Sequence, residues 1–344
     1  MRAVDIKNGV GPADSLFINE NVDTPIPGKG EILVRVKNGY VCLSTATPSK
    51  TKQIYFADLF QREGKYPVPP GAPSTLGVEF SGIIETLGED VTSFKENEKV
   101  FGLAYGGAYA EFIAISEKLC IHIPNELSYE QSAGIPETWM TATQALWTIG
   151  CFEPGQKVLI HAGASGVGIS AIQLAVSHGA SAVFITAGSE EKIDFCVSKL
   201  GATAGFNYHT QDFAAEILKA TNFEGVDIVI DFVGQSHFQK NVQVAAKDGR
   251  IVILALLSGN VAKEVDLGPI LYKRLRIEGT TLRSRTLEYQ EVLKNKFQEK
   301  GLPGLKSGKH MVFIDKTFSW KDIAEAHKLL ESNKTQGKII CLVD

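Results

Sequence analysis

Hydrophobic and polar positions follow a strand-like rhythm in the first third of the chain. Residues 31–36 alternate between the two types, residues 78–87 are rich in aliphatic and β-branched side chains, and a glycine pair at 106–107 separates two further short runs. Alternation interrupted by glycine is typical of short β-strands joined by turns. Up to about residue 124 the sequence therefore predicts a mainly β region.

From about residue 128 the pattern changes to helix and strand in alternation. A helical pattern over residues 129–146 is followed by a Pro-Gly turn, after which short apolar runs alternate with amphipathic stretches. The apolar runs are at residues 158–160, 182–186, 226–231, 250–255 and 276–279, and the helical stretches include 170–178, 190–200 and 212–220. Such βαβ repetition predicts a parallel sheet covered by helices on both faces. A last helix and strand, at 322–332 and 338–342, can rejoin the first part of the chain.

Length and composition narrow the class of protein. At 344 residues the chain exceeds the ~250–300 residues at which single cores stop growing, so we expect two domains. A net charge of −4 gives no broad positive field for nucleic acid, and no apolar run approaches the ~18 residues of a membrane span. The five cysteines lie far apart without a C-x-x-C pair, and the N-terminus lacks the apolar stretch of a signal peptide. We therefore expect reduced thiols and a cytoplasmic protein.

The strongest chemical signal is the stretch KVLIHAGASGVGISAIQLA at residues 157–175, in which an apolar strand leads through a glycine-rich turn into a helix. Such a turn lets the main chain approach a pyrophosphate, which the free N–H groups and the helix dipole then hold. The residues of this candidate cofactor site are Gly163, Ser165, Gly166, Val167 and Gly168. The alternative is a tight strand-to-helix turn without a ligand, but the position of the motif inside a βαβ unit favours the dinucleotide.

The end of the second strand indicates which dinucleotide fits. An NAD site usually has an acid about 20 residues after the first glycine, but Gly188 and Ser189 stand there in this chain. Ser189 offers a hydroxyl and Lys192 a cation to a 2′-phosphate, which favours NADPH over NADH. Glu190 and Glu191 complicate this assignment, although the dipole explains acids in the first turn of a helix. Lys192 is equally well explained as a solvated helix residue.

Over nearly its whole length the chain resembles the zinc-independent quinone oxidoreductases of the medium-chain dehydrogenase/reductase superfamily, which include the zeta-crystallin type and the stress-inducible type. The resemblance is carried by LGVEFSGIIETLGEDV, IPETWMTATQALW, HAGASGVG, TAGSEEKIDFCVSKLGATAGFNY, GVDIVIDFVG and TLRSR. It implies an α/β fold in which a Rossmann doubly wound parallel sheet, residues 129–279, is inserted in a GroES-like mainly β catalytic domain, residues 1–128 and 280–344. It also implies a homodimer.

In this family NADPH binds in the cleft between the domains and passes its hydride to a quinone. Carried over to this chain, the resemblance implies that the turn from Ser165 to Gly168 holds the pyrophosphate. It adds Tyr208, in the GFNY piece, to Ser189 and Lys192 as a ligand of the 2′-phosphate. It also places Thr141, in the WMTA piece, against the nicotinamide.

The sequence shows no set of zinc ligands. Zinc-dependent relatives have a ligating histidine in a G-H-E triplet, and here the triplet is Gly77-Val78-Glu79. We expect Glu79 to pair with a buried basic or backbone group instead. Cys42 superficially resembles the missing metal cysteine, and we interpret that match as coincidence.

On the acceptor side, the places that matter in the family correspond to Tyr55, Asp58, Phe60 and Tyr66, of which Asp58 and Tyr66 keep the usual polar types. We expect Tyr66 to hydrogen-bond the developing hydroquinone oxygen or to wall the pocket, and Asp58 to orient that network. The alternatives are a packed aromatic residue before a Pro-rich turn and a helix-capping acid. Tyr55 stands where the family has an asparagine that reaches into the active site.

A departure from the family precedes Tyr55. Where relatives run directly from the strand near residue 36 to that asparagine, this chain has about a dozen extra residues within 40–55, rich in Ser, Thr and Lys. We interpret the segment as an exposed loop. It is either a genuine surface insertion, which costs little loop entropy, or non-native coding sequence such as a translated intron, and sequencing the transcript distinguishes the two.

Three functions remain open at this point. The leading one is an NADPH-dependent reductase of quinones or related enones, acting without zinc. The second is a catalytically weak NADPH-binding protein with a structural or sensing role, which the altered asparagine position and the extra segment favour. A zinc alcohol dehydrogenase is a further enzyme alternative, and it requires stoichiometric metal.

Overall fold

A computed structural model describes residues 1–41, 57–66, 68–332 and 334–344. The described residues form two compact units, one made of residues 1–41, 57–140 and 282–344 and the other of Thr141–Thr281. No helix within these described ranges is both long and apolar enough to cross a lipid bilayer. The division into domains at residues 128 and 279 stays a prediction, because a compact unit is a set of mutually contacting residues and a domain is a part that folds on its own.

Strands predominate up to His122 and helices and strands alternate after it, as the hydrophobic pattern suggests. The strands are β1 Ala3–Ile6, β2 Leu16–Asn19, β3 Glu31–Val41, β4 Glu79–Leu87, β5 Lys99–Leu103, β6 Phe112–Ser116, β7 Cys120–His122, β8 Lys157–Ile160, β9 Ala182–Ala187, β10 Ala204–Asn207, β11 Val226–Asp231, β12 Ala245–Ile253, β13 Arg276–Gly279, β14 Ile314–Ser319 and β15 Lys338–Leu342. The helices are α1 Ala57–Arg62, α2 Tyr129–Ala133, α3 Pro136–Thr143, α4 Gly166–Ser177, α5 Glu190–Ser198, α6 Phe213–Ala220, α7 Phe238–Val244, α8 Gly268–Tyr272, α9 Leu287–Lys300, α10 Leu302–Lys306 and α11 Ile323–Glu331.

The unit Thr141–Thr281 contains the predicted parallel sheet. Its six strands lie in the order β10-β9-β8-β11-β12-β13, and every neighbouring pair is parallel. Leu159, Val229 and Ile251 of the central strands have no exposed surface, as expected for a sheet covered on both faces. The carboxyl ends of β8, β9 and β11 lie side by side, and at this edge of a parallel sheet ligands usually bind.

The other unit is mainly β. Its seven-stranded sheet has the order β14-β15-β3-β4-β5-β7, and β6 also pairs with β3. The strand predicted at residues 338–342 is β15, and it joins the sheet by antiparallel pairing with β3. Gly82 in β4 is required where the strands approach, because a Cβ there would overlap the carbonyl oxygen of Arg35.

Two sequence expectations about local structure are wrong. The helical pattern over residues 129–146 is not one helix, because α2 ends before Gly134 and a new helix starts at Pro136, where proline suits the first turn. The segment 40–55 is not wholly a loop, since β3 continues to Val41, which pairs with Ile339. The rest of that segment, residues 42–55 including Cys42 and Tyr55, lies outside the described residues.

Candidate functional site

The glycine turn connects β8 to α4 at the carboxyl edge of the parallel sheet. Ala162 has a φ of 48°, a left-handed conformation that is uncommon for a residue with a side chain. The N–H of Gly163 donates to the carbonyl oxygen of Thr186 at 3.0 Å. A Cβ on Gly163 would lie 2.8 Å from Cβ of Ile185, so only glycine allows this approach to β9.

Helix α4 begins within the same turn. Ser165 caps it, and its Oγ accepts from the N–H of Gly168 at 3.0 Å. A Cβ on Gly168 would lie 2.5 Å from the carbonyl oxygen of Ala162 and 2.6 Å from that of Gly163. Gly166 and Val167 are the first two residues of α4, where N–H groups have no partner within the helix. The turn can therefore hold an anionic group at a positive helix end.

The structure also brings together the four residues expected around a 2′-phosphate. Ser189 caps α5, with its Oγ 3.4 Å from the N–H of Lys192. A Cβ on Gly188 would lie 2.7 Å from the hydroxyl of Tyr208, so the absence of a side chain at residue 188 allows the phenol to lie this close to the main chain. Gly188, Ser189, Lys192 and Tyr208 are all half-buried, which leaves part of each accessible to a ligand.

The structure shows where the two acids that complicate the cofactor assignment, Glu190 and Glu191, lie on α5. Glu190 accepts a hydrogen bond from the side-chain amide of Asn207 at 3.1 Å, which ties α5 to β10. Glu191 is exposed in the first turn of α5. Neither stands in the place after the second strand that the ribose-binding acid of an NAD site occupies. Thr141, the residue expected beside the nicotinamide, is half-buried on α3.

A buried chain of side-chain hydrogen bonds passes through His161, the residue just before Ala162 of the turn. We name this chain the His161 relay. It consists of Thr186, His161, Asn241 and Asp231. The distances are 2.8 Å from Thr186 Oγ1 to His161 Nδ1, 2.7 Å from His161 Nε2 to Asn241 Oδ1 and 3.0 Å from Asn241 Nδ2 to Asp231 Oδ2. His161 thus joins the end of β8 to Thr186 on β9 and, through Asn241 on α7, to Asp231 on β11.

Burial sets the charge states in the His161 relay. It lowers the pKa of His161 well below the ordinary value, so the imidazole is neutral. Burial also raises the pKa of Asp231 to about 6, against the opposing hydrogen bonds from Gly234, Val233 and Asn241. At neutral pH the relay therefore ends in a carboxylate held by these three donors.

On the acceptor side, Asp58 lies on α1 and is fully buried. It accepts from the N–H of Gly77 at 3.1 Å and from the hydroxyl of Tyr109 at 3.2 Å. Asp58 thus joins α1 to the residues just before β4. Its role therefore goes beyond that of a helix-capping acid, the alternative that the sequence left open. The same cluster includes the buried Arg62, which contacts Nδ1 of His327 at 3.1 Å, a pairing with no signal in the sequence.

Tyr66 lies beneath the guanidinium of Arg283, with 5.4 Å between Arg283 Cζ and the ring centroid. Arg283 is 4% exposed, and its Nη1 donates to Gln61 Oε1 at 2.7 Å and its Nε to the carbonyl oxygen of Tyr105 at 2.6 Å. This cation–π contact fixes the phenol ring. Phe60 is buried on α1, and Tyr55 lies outside the described residues.

Glu79 has the basic and backbone partners that the sequence led us to expect. Its carboxylate receives Lys338 Nζ at 2.7 Å and the N–H of Glu137 at 2.8 Å, and neither Glu79 nor Lys338 is more than 3% exposed. Burial raises the pKa of Glu79, and burial together with the charge of Glu79 raises the pKa of Glu137 to about 7. In the part of the chain that the structure describes, no group of three or more His, Cys, Asp or Glu is arranged to hold a metal ion.

Comparison with known proteins identifies relatives of both units. The family of zinc-binding dehydrogenases matches residues 166–297, and the family of alcohol dehydrogenase GroES-like domains matches residues 28–125. The quinone oxidoreductase of Homo sapiens is 28% identical over 345 residues, which cover 100% of this chain and 98% of that protein. These matches confirm the predicted fold class, a GroES-like part combined with a Rossmann-like α/β part.

Solved structures give the same picture. The Escherichia coli quinone oxidoreductase complexed with NADPH superposes with a TM-score of 0.82 at 26% identity, covering 99% of this chain and 100% of that one. An NAD-dependent alcohol dehydrogenase superposes with a TM-score of 0.83 at 27% identity, covering 100% of both chains. Proteins described with either nicotinamide cofactor therefore share this fold.

Proposed function

Because this chain belongs to the medium-chain dehydrogenase/reductase superfamily, we propose that it is an NADPH-dependent oxidoreductase that reduces quinones or related enones without zinc. The observation that carries the proposal is a pair of neighbouring candidate phosphate-binding sites at the carboxyl edge of the parallel sheet. One lies at the glycine turn and the other around Ser189. When bound, NADPH supplies the hydride. The protein has to bind the cofactor, orient the acceptor and stabilise the oxygen on which charge develops.

The residues present fit NADPH. The first N–H groups of α4, at Gly166 and Val167, suit a pyrophosphate at the positive end of the helix. Ser189, Lys192 and Tyr208 supply two hydroxyls and a cation for the 2′-phosphate, and the absence of a side chain at Gly188 allows the phenol to lie close to the main chain there. The carboxylate of Glu190 accepts a hydrogen bond from the side-chain amide of Asn207, which orients it toward β10.

We predict that Lys192→Glu lowers the affinity for NADPH by about 10–100-fold, since a charge-assisted hydrogen bond contributes roughly 1.5–3 kcal/mol. Binding of NADH should change by less than about threefold, because NADH has no 2′-phosphate. Titration of nucleotide fluorescence measures both. Lys219→Glu, the same charge change on the exposed face of α6, is the control, and an equal loss in both variants would contradict the assignment.

On the acceptor side we propose that Tyr66 donates to the acceptor oxygen, that Asp58 fixes the neighbouring main chain, and that Tyr55 replaces the family asparagine. The cation–π contact between Arg283 and the Tyr66 ring restricts the orientation of the ring, which supports a fixed direction for the Tyr66 hydroxyl. We predict that Tyr66→Phe lowers kcat about tenfold and leaves NADPH affinity unchanged, because one hydrogen bond of about 1–1.5 kcal/mol is lost. Steady-state kinetics and titration test this, and an unchanged kcat would remove Tyr66 from the reaction.

Activity without zinc is supported by the chemistry of the Gly77-Val78-Glu79 triplet. Val78 cannot ligate a metal, and Glu79 is held by Lys338 and the N–H of Glu137. We expect purified, active protein to contain less than about 0.1 zinc per chain by elemental analysis, and a stoichiometric amount would favour the alcohol dehydrogenase alternative.

We also propose a homodimer formed through the β13 edge of the parallel sheet. Close to it in sequence, Leu267, Leu271 and Tyr272 are 67%, 71% and 77% exposed, an unusual concentration of uncovered apolar surface. An edge strand and an apolar patch together suit a second copy related by twofold symmetry. Sedimentation should show a dimer that Leu271→Glu converts to monomer.

A cytoplasmic location is supported by the free thiols at Cys120, Cys151, Cys196 and Cys341.

The proposed function is tested by following NADPH oxidation with ortho-quinones, para-quinones and small enones, in parallel with NADH. Turnover of any of these acceptors with a preference for NADPH is the expected result. Tight NADPH binding without consumption by any acceptor would favour the structural or sensing alternative, which the replacement of the family asparagine by Tyr55 supports. Absence of binding of either nucleotide would overturn both.

A further inference from the structure

The glycine turn is strained at a residue that is not glycine. Ala162 is held at a φ of 48°, and a left-handed conformation of this kind costs free energy when a side chain is present. Such a conformation persists only where the surroundings fix the residues on both sides. On one side Gly163 donates to the carbonyl of Thr186, and on the other His161 is anchored by its side chain.

The His161 relay has a single direction. Asn241 Nδ2 donates to Asp231 Oδ2, so Asn241 Oδ1 faces His161 and accepts from Nε2–H. The neutral imidazole then has its Nδ1 free to accept, and Thr186 Oγ1–H donates to it. Every donor in the relay therefore points toward the carboxylate of Asp231.

The far end of the relay is fixed independently. Asp231 Oδ1 accepts from the N–H groups of Val233 at 2.6 Å and Gly234 at 3.1 Å, which close the turn after β11. The N–H of His161 donates to the carbonyl of Ile230 at 3.1 Å. Each of the four relay residues is buried with no exposed surface, so loss of one member leaves its partners without contact to bulk water.

Thr186 connects the relay back to the turn. Its hydroxyl donates to His161, and its carbonyl oxygen receives the N–H of Gly163. The two anchors of Ala162 thus belong to one network, and breaking the relay at Asn241 would loosen both.

We infer that the His161 relay is a positioning device for cofactor binding, which holds Ala162 in its left-handed conformation and thereby aims the N–H groups of the turn at the pyrophosphate. His161, Asn241 and Asp231 act through the turn and do not touch the nucleotide. The inference rests on the proposed nucleotide binding and extends it to residues outside the glycine motif.

The test measures NADPH affinity of the full chain by fluorescence titration. Asn241→Leu should weaken binding about tenfold, and Ala162→Gly in the same chain should recover at least about threefold, because glycine adopts the left-handed conformation without a penalty. In the unaltered background, Ala162→Gly should change affinity less than about twofold. Because glycine also relieves strain in the folded protein, the titrations are made on variants shown by circular dichroism to be fully folded, where recovered affinity reports the position of the turn and not a recovery of stability.

Asn38→Leu is the matched control. Asn38 is also buried, but it lies on β3 in the other unit, and its side-chain Nδ2 has no partner among the described residues. Its replacement should leave the affinity for NADPH within about twofold of that of the unaltered protein. An Asn241→Leu protein that binds as tightly as Asn38→Leu would overturn the inference. Should Asn241→Leu not fold, His161→Gln replaces it in the test, with equal affinity again the contrary result.

Hydrogen exchange of the protein without nucleotide provides a second measurement. The segment 158–168 should exchange faster in Asn241→Leu than in Asn38→Leu, because the bond of the Gly163 N–H is loosened. Equal exchange in the two variants would also overturn the inference. If the unaltered protein binds no nicotinamide nucleotide, the proposed function fails while the exchange measurement still decides whether the relay holds the turn.

Discussion

Lys338→Met is expected to lower the free energy of unfolding by about 3–5 kcal/mol at pH 7, because it leaves the carboxylate of Glu79 buried without its cation. Glu79 has no exposed surface, and Lys338 reaches it from β15 at 2.7 Å. The remaining donor, the N–H of Glu137, does not neutralise the charge. Chemical denaturation monitored by circular dichroism measures the loss.

The loss should depend on pH in a defined direction. Burial already raises the pKa of Glu79, and removal of Lys338 raises it further. A carboxyl group whose pKa is raised on folding stabilises the protein fully below its ordinary pKa and less as the pH rises through the raised value. Lys338 also lowers the pKa of Glu137, so both carboxyl groups act in the same sense. The deficit of Lys338→Met should therefore be small at pH 5 and largest at pH 8.

Two further variants isolate the buried ion pair. Adding Glu79→Gln to Lys338→Met should recover most of the stability, since no uncompensated charge then remains. Lys29→Met breaks a pair with Asp90 in which the side chains are 75% and 66% exposed, and it should cost less than about 1 kcal/mol. If Lys338→Met were as mild as Lys29→Met, the pair would not be a major support of the mainly β unit.

Gly168→Ala is expected to lower NADPH affinity by more than about 100-fold and to cost about 1–3 kcal/mol of stability. The new Cβ would lie 2.5 Å from the carbonyl oxygen of Ala162 and 2.6 Å from that of Gly163. Both obstacles are main-chain atoms, so the turn itself has to move. A displaced turn no longer presents its N–H groups to a pyrophosphate.

The same substitution at Gly279 is the control for this effect. A Cβ there meets only the carbonyl oxygen of Ile253, at 4.0 Å, and we expect neither affinity nor stability to change appreciably. Fluorescence titration and thermal unfolding are measured on both variants. A Gly168→Ala protein that retains NADPH affinity would show that the turn is not the phosphate cradle.

Features that depend on residues close together in the sequence were predictable from the sequence. The strand, turn and helix around Gly163 and Gly168 follow from local periodicity and glycine placement, and the strands of the parallel sheet appear where the apolar runs are. The helix over residues 129–146 was overestimated because its periodicity hides the break at Gly134 and Pro136. The Rossmann part was the easiest to predict, since each βα unit carries its own pattern.

Features that depend on distant pairs were not predictable. The sequence suggested that Glu79 needs a basic partner, but Lys338 is 259 residues away, and only the pairing of β15 with β3 brings it near. The contact of Arg283 with Tyr66 and the bond of Asn241 to His161 also join residues that are far apart in the sequence. No periodicity marks such residues, because their roles depend on tertiary neighbours.

The return of β15 to β3 also constrains how the protein is made on the ribosome. The unit Thr141–Thr281 is fully synthesised before residues 338–342 exist, whereas the mainly β sheet cannot be completed until they emerge. During that interval residues 38–41 of β3 lack the neighbour that β15 later provides, and this part of the edge can associate with other nascent chains. We therefore expect this part of β3 to be open to intermolecular pairing until residues 338–342 have emerged.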